Sequence, residues 1–78
     1  MKWRDHIHSN PDILGGKPVV KGTRISVELI LEYLADGGSV ADIIDGFPHL
    51  TEADIRAAVA FSLDLLVKEA ASARREAA

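Results

Sequence analysis

Residues 39–56 read SVADIIDGFPHLTEADIR and carry the signals of two helices joined by a short turn. Each helix start has a hydroxyl residue followed three residues later by an aspartate, which is the spacing of a capping box: Ser39 with Asp42, and Thr51 with Asp54. Gly46 and Pro48 stop the first of these helices. The stretch therefore predicts a helix over residues 39–47, a three-residue turn and a second helix from residue 51, which is the outline of a helix-turn-helix.

The preceding residues 26–38, SVELILEYLADGG, predict a further helix. Ser26 is a preferred N-cap residue, and Glu28 lies favourably in the first turn. Four apolar residues then recur at helical spacing: Val27, Ile30, Leu31 and Leu34. Gly37 or Gly38 ends the helix. Together the helices over residues 26–67 predict a mainly α fold, a three-helix, helix-turn-helix-like (homeodomain-like) bundle.

A small N-terminal β-hairpin is predicted over residues 13–25. In ILGGKPVVKGTRIS, the pairs Ile13-Leu14 and Val19-Val20 are separated by glycines and a proline, which favour a tight reversal of the chain. The glycines are expected to place three cations on one small surface: Lys17, Lys21 and Arg24. Residues 1–12 precede the hairpin as an irregular leader.

The third helix is apolar on nearly every side between residues 57 and 67. Such a helix is expected to be buried on nearly every side. Its far face, with Ala57, Phe61 and Leu65, either contacts another chain or is covered by the hairpin or the leader, for which Trp3 is the candidate. Because a domain of this size is marginally stable alone, the first alternative is favoured and the chain is expected to form a homodimer.

Residues 68–78 form a separate C-terminal helical tail rich in Ala, Glu, Arg and Lys. These residues are good helix formers, but so short a helix is not expected to stay folded by itself. The tail, with Arg74 and Arg75, is therefore expected either to become ordered on a partner or to remain a frayed, solvated helix end.

Composition and motifs exclude several classes of site. The chain has no cysteine, which excludes disulfides and thiolate zinc sites. The order Lys21-Gly22-Thr23 reverses the Gly-Lys of a phosphate-binding loop, and the pair His6 and His8 is read as solvated rather than metal-bound. The carboxylates at helix starts are explained by capping. We expect a cytoplasmic protein with no membrane span, no enzymatic activity, no cofactor and no metal.

The helix-turn-helix outline raises the alternative of DNA binding. Residues 1–24 carry the basic charge, whereas the opening of the third helix presents Glu52 and Asp54 beside Arg56, although groove-reading helices usually present basic or amide side chains. Phosphate contacts are therefore expected from Arg56 and the three hairpin cations. Whether the fold binds DNA or has only the shape of a DNA-binding domain is left open by the sequence.

The residues quoted above also carry a family resemblance. Asn10-Pro11, GGKP at residues 15–18, GTRI at residues 22–25 and LTEADI at residues 50–55 together resemble domain-of-unknown-function family 433 (DUF 433) over residues 8–67. The resemblance implies the antitoxin of a bacterial type II toxin–antitoxin pair, which binds and neutralises a PIN-like ribonuclease toxin and represses its own operon by binding operator DNA. The alternative function is a stand-alone helix-turn-helix transcriptional regulator.

Overall fold

The computed structural model describes the backbone of residues 1–77 and the side chains of residues 1–73. Two short 3-10 turns and two strands precede three helices: the turn Trp3–Asp5, β1 (Ile7–Ser9), the turn Leu14–Gly16, β2 (Pro18–Val20), α1 (Val27–Ala35), α2 (Val40–Gly46) and α3 (Glu52–Ala77). The prediction of a mainly helical fold with a small N-terminal hairpin is confirmed.

The three helix starts lie where the caps predict them. The Ser26 hydroxyl accepts a hydrogen bond from the Leu29 amide at 3.0 Å. Both predicted capping boxes are present: Ser39 with Asp42, and Thr51 with Asp54. In each box the hydroxyl accepts a hydrogen bond from the backbone amide of the aspartate, and the carboxylate accepts one from the backbone amide of the cap residue. The four bonds are 3.0–3.2 Å long. These bonds satisfy amides that have no partner within a helix, so local sequence alone sets where each helix begins.

The end of α1 depends on two glycines. Gly37 has a φ of +93°, and its amide bonds to the Leu34 carbonyl, while the Gly38 amide bonds to the Tyr33 carbonyl at 2.8 Å. This is the pattern of a Schellman cap. A side chain on Gly38 would place its Cβ 2.8 Å from the Tyr33 oxygen, so the chain turns there only without one.

The predicted hairpin boundaries, residues 13–25, are wrong. The strand that pairs with β2 is β1, from the segment predicted to be an irregular leader, and Ile7 lies opposite Val20 in an antiparallel ladder. Residues Leu14, Gly15 and Gly16 instead take positive φ angles of 48°, 65° and 87° and form a tight turn, which a strand cannot contain.

The later part of the predicted hairpin does reverse as expected. The Val20 amide bonds to the Ile25 carbonyl at 3.0 Å, and an isolated bridge joins Val19 to Ser26. Gly22 takes a φ of +78° in the turn between them. The strand β2 is therefore flanked on one side by β1 and on the other by the residues that lead into α1.

Both strands and all three helices contribute to a single core, and Trp3 of the first 3-10 turn packs against it. Its large members are almost fully buried and come from both strands, the three helices and the turn before α3: Ile7, Val19, Val20, Val27, Ile30, Ile43, Leu50 and Ile55. Ala57 and Ala58 let α3 approach closely, since both are 0% exposed. Because Ala57 is buried inside the single chain, its prediction as an interface residue is wrong.

The helix α3 continues well beyond this core. We define the α3 arm as residues 63–77; its large apolar side chains are 58–66% exposed: Leu63, Leu65, Leu66 and Val67. A helix of 26 residues is about 39 Å long, which accounts for the elongated outline of 47 × 30 × 22 Å. Among the described residues, no helix is both long and apolar enough to cross a membrane.

Candidate partner-binding surface

The N-terminal residues hold the beginning of the α3 arm against the body. We define the strap as residues 1–6. The Trp3 ring packs edge-to-face on Phe61 with centroids 4.9 Å apart, and its indole N–H donates to Asp64 Oδ2 at 3.3 Å. The Arg4 guanidinium lies over the indole ring, with its Cζ atom 4.4 Å from the ring centroid. The alternative that the leader covers the far face is thus confirmed for Phe61, which is half-buried within the chain rather than free for another chain.

A second link joins the strap to the start of α3. His6 Nδ1 lies 2.9 Å from Asp54 Oδ1, and the two side chains are 30% and 15% exposed. Burial raises the pKa of Asp54, but hydrogen bonds from His6 and Thr51 outweigh it and hold the pKa of this carboxyl below its usual value. Asp54 therefore caps α3 and anchors the strap with the same carboxylate.

An apolar groove lies between α1 and the arm. We call it the α1–α3 groove; it is open, measures about 390 Å³, and is lined mainly by apolar residues: Pro18, Val27, Leu31, Phe61, Leu65 and Leu66. On its rim the Lys17 ammonium bonds to Glu28 Oε2 at 2.9 Å, and this hydrogen bond raises the pKa of Lys17. Leu65, which was predicted as an interface residue, is 58% exposed at the wall of this groove.

A second groove follows the other side of the arm. It lies between the strap and α3, measures about 660 Å³, and is lined on the helix side by Ala60, Leu63, Asp64 and Val67. The first part of the arm, residues 63–67, therefore presents apolar side chains to the grooves on both of its flanks. The side chains of Arg74 and Arg75, predicted to act at the end of this helix, lie outside the described ones.

The predicted cationic surface is not compact. Lys17 and Lys21 flank the three-residue strand β2 at opposite ends, about 13 Å apart along the chain. Lys17 is paired with Glu28, so only Lys21 and Arg24 share the exposed turn after β2. The expectation that all three cations share one small surface is wrong, because the β2 strand separates the first from the other two.

The exposed charges of α2 and of the first turns of α3 are mainly acidic. Arg56 Nη2 bonds to Glu52 Oε1 at 2.7 Å, four residues earlier on α3. Asp42 and Asp45 are exposed on α2. These two helix segments therefore present three exposed carboxylates and one guanidinium that is already paired, a balance of charge that disfavours phosphate. Among the described residues, no three His, Asp or Glu side chains come close enough together to hold a metal ion.

Sequence reasoning missed two features of this surface. Leu63, Leu66 and Val67 were not predicted as contact residues, although the unbroken apolar composition around them was the available signal. The link from His6 to Asp54 was also missed, because no local pattern connects residues 48 positions apart.

A protein-family model and a solved structure both match most of this chain. A family model described as a protein of unknown function, DUF433, matches residues 7–62. The chain belongs to the DUF433 family. A crystal structure of a DUF433 member protein from Anabaena variabilis has a similar fold, with a TM-score of 0.74 and 26% identity over 78% of this chain and 60% of that one.

A curated relative extends the comparison to sequence. An uncharacterized protein of Sinorhizobium fredii, y4eO, is 44% identical over 55 residues, which cover 70% of this chain and 25% of the relative. The chain thus spans about a quarter of the length of that relative. The match to the family ends at residue 62, immediately before the α3 arm, so the exposed apolar residues lie outside the part that the family model describes.

Proposed function

We propose that this chain is a cytoplasmic, homodimeric antitoxin that binds and neutralises a PIN-like ribonuclease toxin. The observation that carries the proposal is the α3 arm, where four large apolar side chains remain 58–66% exposed although the core of the body is closed. Contiguous exposed apolar surface of this kind marks a contact with another macromolecule. The family resemblance supplies the class of partner.

The α1–α3 groove is the proposed seat of the toxin. Leu65 forms its wall and Phe61 its floor, and the Lys17–Glu28 pair supplies a polar rim. Covering the exposed part of Leu65 and Leu66, which line this groove, is worth roughly 2–4 kcal/mol before the cost of association. This amount supports a stable complex only together with polar contacts at the rim.

The tail provides a second proposed contact. The tail is proposed to pack on the toxin as the continuation of α3, and Arg74 and Arg75 to approach the acidic metal site of the nuclease and exclude substrate through charge-assisted hydrogen bonds. Deletion of residues 68–78 tests this contact, because an unchanged dissociation constant would remove the tail from the mechanism.

The main proposal is tested by looking for a PIN-like ribonuclease gene adjacent to the gene of this chain, and by measuring whether the chain inhibits cleavage of a fluorescent RNA by the encoded nuclease. We expect the full chain to abolish cleavage and Leu65→Glu to weaken inhibition at least tenfold, because it places a carboxylate in the apolar groove. Ala41→Glu is the matched control, since it adds the same charge at an exposed position on α2 that does not line the groove. A wild-type chain that leaves cleavage unchanged would refute the antitoxin function.

Autorepression by DNA binding is a separate proposal, supported only by the exposed pair Lys21 and Arg24 in one turn. It predicts that Lys21→Ala and Arg24→Ala each weaken binding to duplex DNA of any sequence. Each should also reduce the slope of the logarithm of the binding constant against the logarithm of the salt concentration by about one. The same measurement tests the stand-alone regulator. If the wild-type chain does not bind duplex DNA at low salt, both are excluded and the antitoxin function is unaffected.

A further inference from the structure

One face of α3 carries apolar residues with the spacing of a coiled coil. We define the seam as Val59, Leu63, Leu66, Ala70 and Ala73, which follow one another at intervals of four, three, four and three residues. At about 100° per residue they all lie within roughly 40° of one line along the helix. All five are exposed, and Val59, Leu63 and Leu66 are 45%, 61% and 66% exposed. An average spacing of 3.5 residues is the pattern of a helix that pairs with another helix.

We propose that the seam pairs with the same seam of a second copy, in parallel orientation, to form a short two-stranded coiled coil. The inference rests on the dimeric state in the proposed function, but it does not depend on the toxin. The partner is a second copy because acidic and basic residues beside the seam are spaced so that they lie opposite each other in a pair of identical helices.

The register places complementary charges beside the seam. The seven positions of a coiled-coil repeat are labelled a to g, and Leu63 and Ala70 occupy position a. Glu69 is then at position g, and Arg74, five residues later, is at the next position e. In a parallel pair, position g of one helix faces that position e of the other, so the sequence register sets the acidic position 69 of each copy opposite the basic position 74 of the other. An antiparallel pair would instead bring together the g positions, which contain Ser62, Glu69 and Glu76 and no cation.

The remaining faces of α3 leave room for this pairing. The most deeply buried residues of α3 include Ala57 and Ala58, about 160° and 100° around the helix from the line of the seam, whereas Val59 on that line is 45% exposed. Leu65 lies about 120° around the helix from the line of the seam and faces the α1–α3 groove. Leu66 belongs to both surfaces, so the seam and the α1–α3 groove adjoin along α3, and the Leu65 side of the groove is the part that the seam leaves uncovered.

Sedimentation equilibrium of the full chain without any toxin tests the seam. We expect a concentration-dependent dimer that Leu63→Glu weakens at least 100-fold. Leu65→Glu is the matched control, since it lies two residues away at 58% exposure against 61%, and it should change the dimer by less than twofold. Circular dichroism establishes that both variants are folded. A wild-type chain that stays monomeric at millimolar concentration, or equal loss in both variants, would overturn the inference.

Disulfide cross-linking tests the relative orientation of the two helices. Because the chain has no cysteine, an introduced cysteine can form a disulfide only with its equivalent in the second copy. In the parallel pair Ala70 faces its own copy across the seam, within reach of the roughly 4.4–6.8 Å between Cα atoms that a disulfide spans. Ala70→Cys should therefore form a disulfide-linked dimer under mild oxidation, whereas Ala71→Cys should not. A dimer in which the two variants cross-link equally would overturn the parallel arrangement. A dimer that forms and cross-links as expected, without inhibiting the nuclease, would refute the proposed function alone.

Discussion

The contact between the strap and α3 makes a quantitative prediction for Trp3→Ala. The substitution removes an edge-to-face ring pair with Phe61, worth about 1 kcal/mol, and a hydrogen bond to the Asp64 carboxylate, worth about 1 kcal/mol at its length of 3.3 Å. It also exposes apolar surface that the half-buried indole covers, worth roughly 1 kcal/mol more. We therefore expect the free energy of unfolding to fall by about 3 kcal/mol.

This loss is large for so short a chain. A domain of this length has an unfolding free energy of about 4–12 kcal/mol, so the variant should unfold at a much lower urea concentration. Equilibrium urea unfolding followed by far-ultraviolet circular dichroism measures the difference. Trp3→Phe is the matched control: it keeps a ring against Phe61 but removes the indole N–H, and it should cost only about 1 kcal/mol.

The two variants together separate packing from hydrogen bonding. If Trp3→Ala costs less than about 0.5 kcal/mol, the strap does not stabilise the fold and the reasoning about it fails. If Trp3→Phe costs as much as Trp3→Ala, the hydrogen bond to Asp64 and not the ring contact holds the strap. If the contact between the Trp3 and Phe61 rings stabilises the fold, Trp3→Phe should lower the free energy of unfolding by less than Trp3→Ala does.

Two further predictions concern single side chains. Because the pKa of Asp54 is lowered in the folded chain, its ionised form stabilises the fold above the unfolded value of about 3.9, and this contribution is lost as the pH falls through the folded value. Asp54→Asn should thus be less stable at pH 7 and show a shallower loss of stability between pH 5 and 2, by urea unfolding; an unchanged acid slope would contradict it. Gly22→Ala should cost about 1 kcal/mol because φ there is +78°, whereas Gly46→Ala, where φ is not positive and a side chain has open space, should cost nothing; equal effects on the melting temperature would contradict it.

The helices were predictable because their signals are local. Ser26, Ser39 and Thr51 each bond to an amide three residues away, so the residues that define a helix start are adjacent to it in the sequence. The strand β1 was not predictable in the same way. It has only three residues, of which His8 and Ser9 are polar, and it is extended because it pairs with β2 and buries Ile7. Tertiary contact overrides local propensity in so short a strand.

The same distinction explains what the sequence revealed of the surface. The excess of apolar residues on α3 is a local property, and it correctly indicated that the helix exceeds what two short helices can cover. Which face is covered depends on Trp3, which meets Phe61 across 58 residues of chain, and a helical wheel contains no information about that contact. Phe61 was therefore assigned to an intermolecular contact although its partner lies within the chain.

The residues of the α3 arm are difficult to explain by the stability of the monomer. The caps and the core are completed by residues up to Phe61 and Ser62, and Leu63, Leu65, Leu66 and Val67 leave more than half of their surface in contact with solvent. Polar helix formers at these positions would extend α3 equally well without exposing apolar surface. We propose that the choice of leucine and valine serves contacts outside the single chain. Substitutions in the arm should accordingly alter association while leaving the unfolding free energy of the monomer nearly unchanged, and substitutions of core residues such as Ile30 should do the reverse.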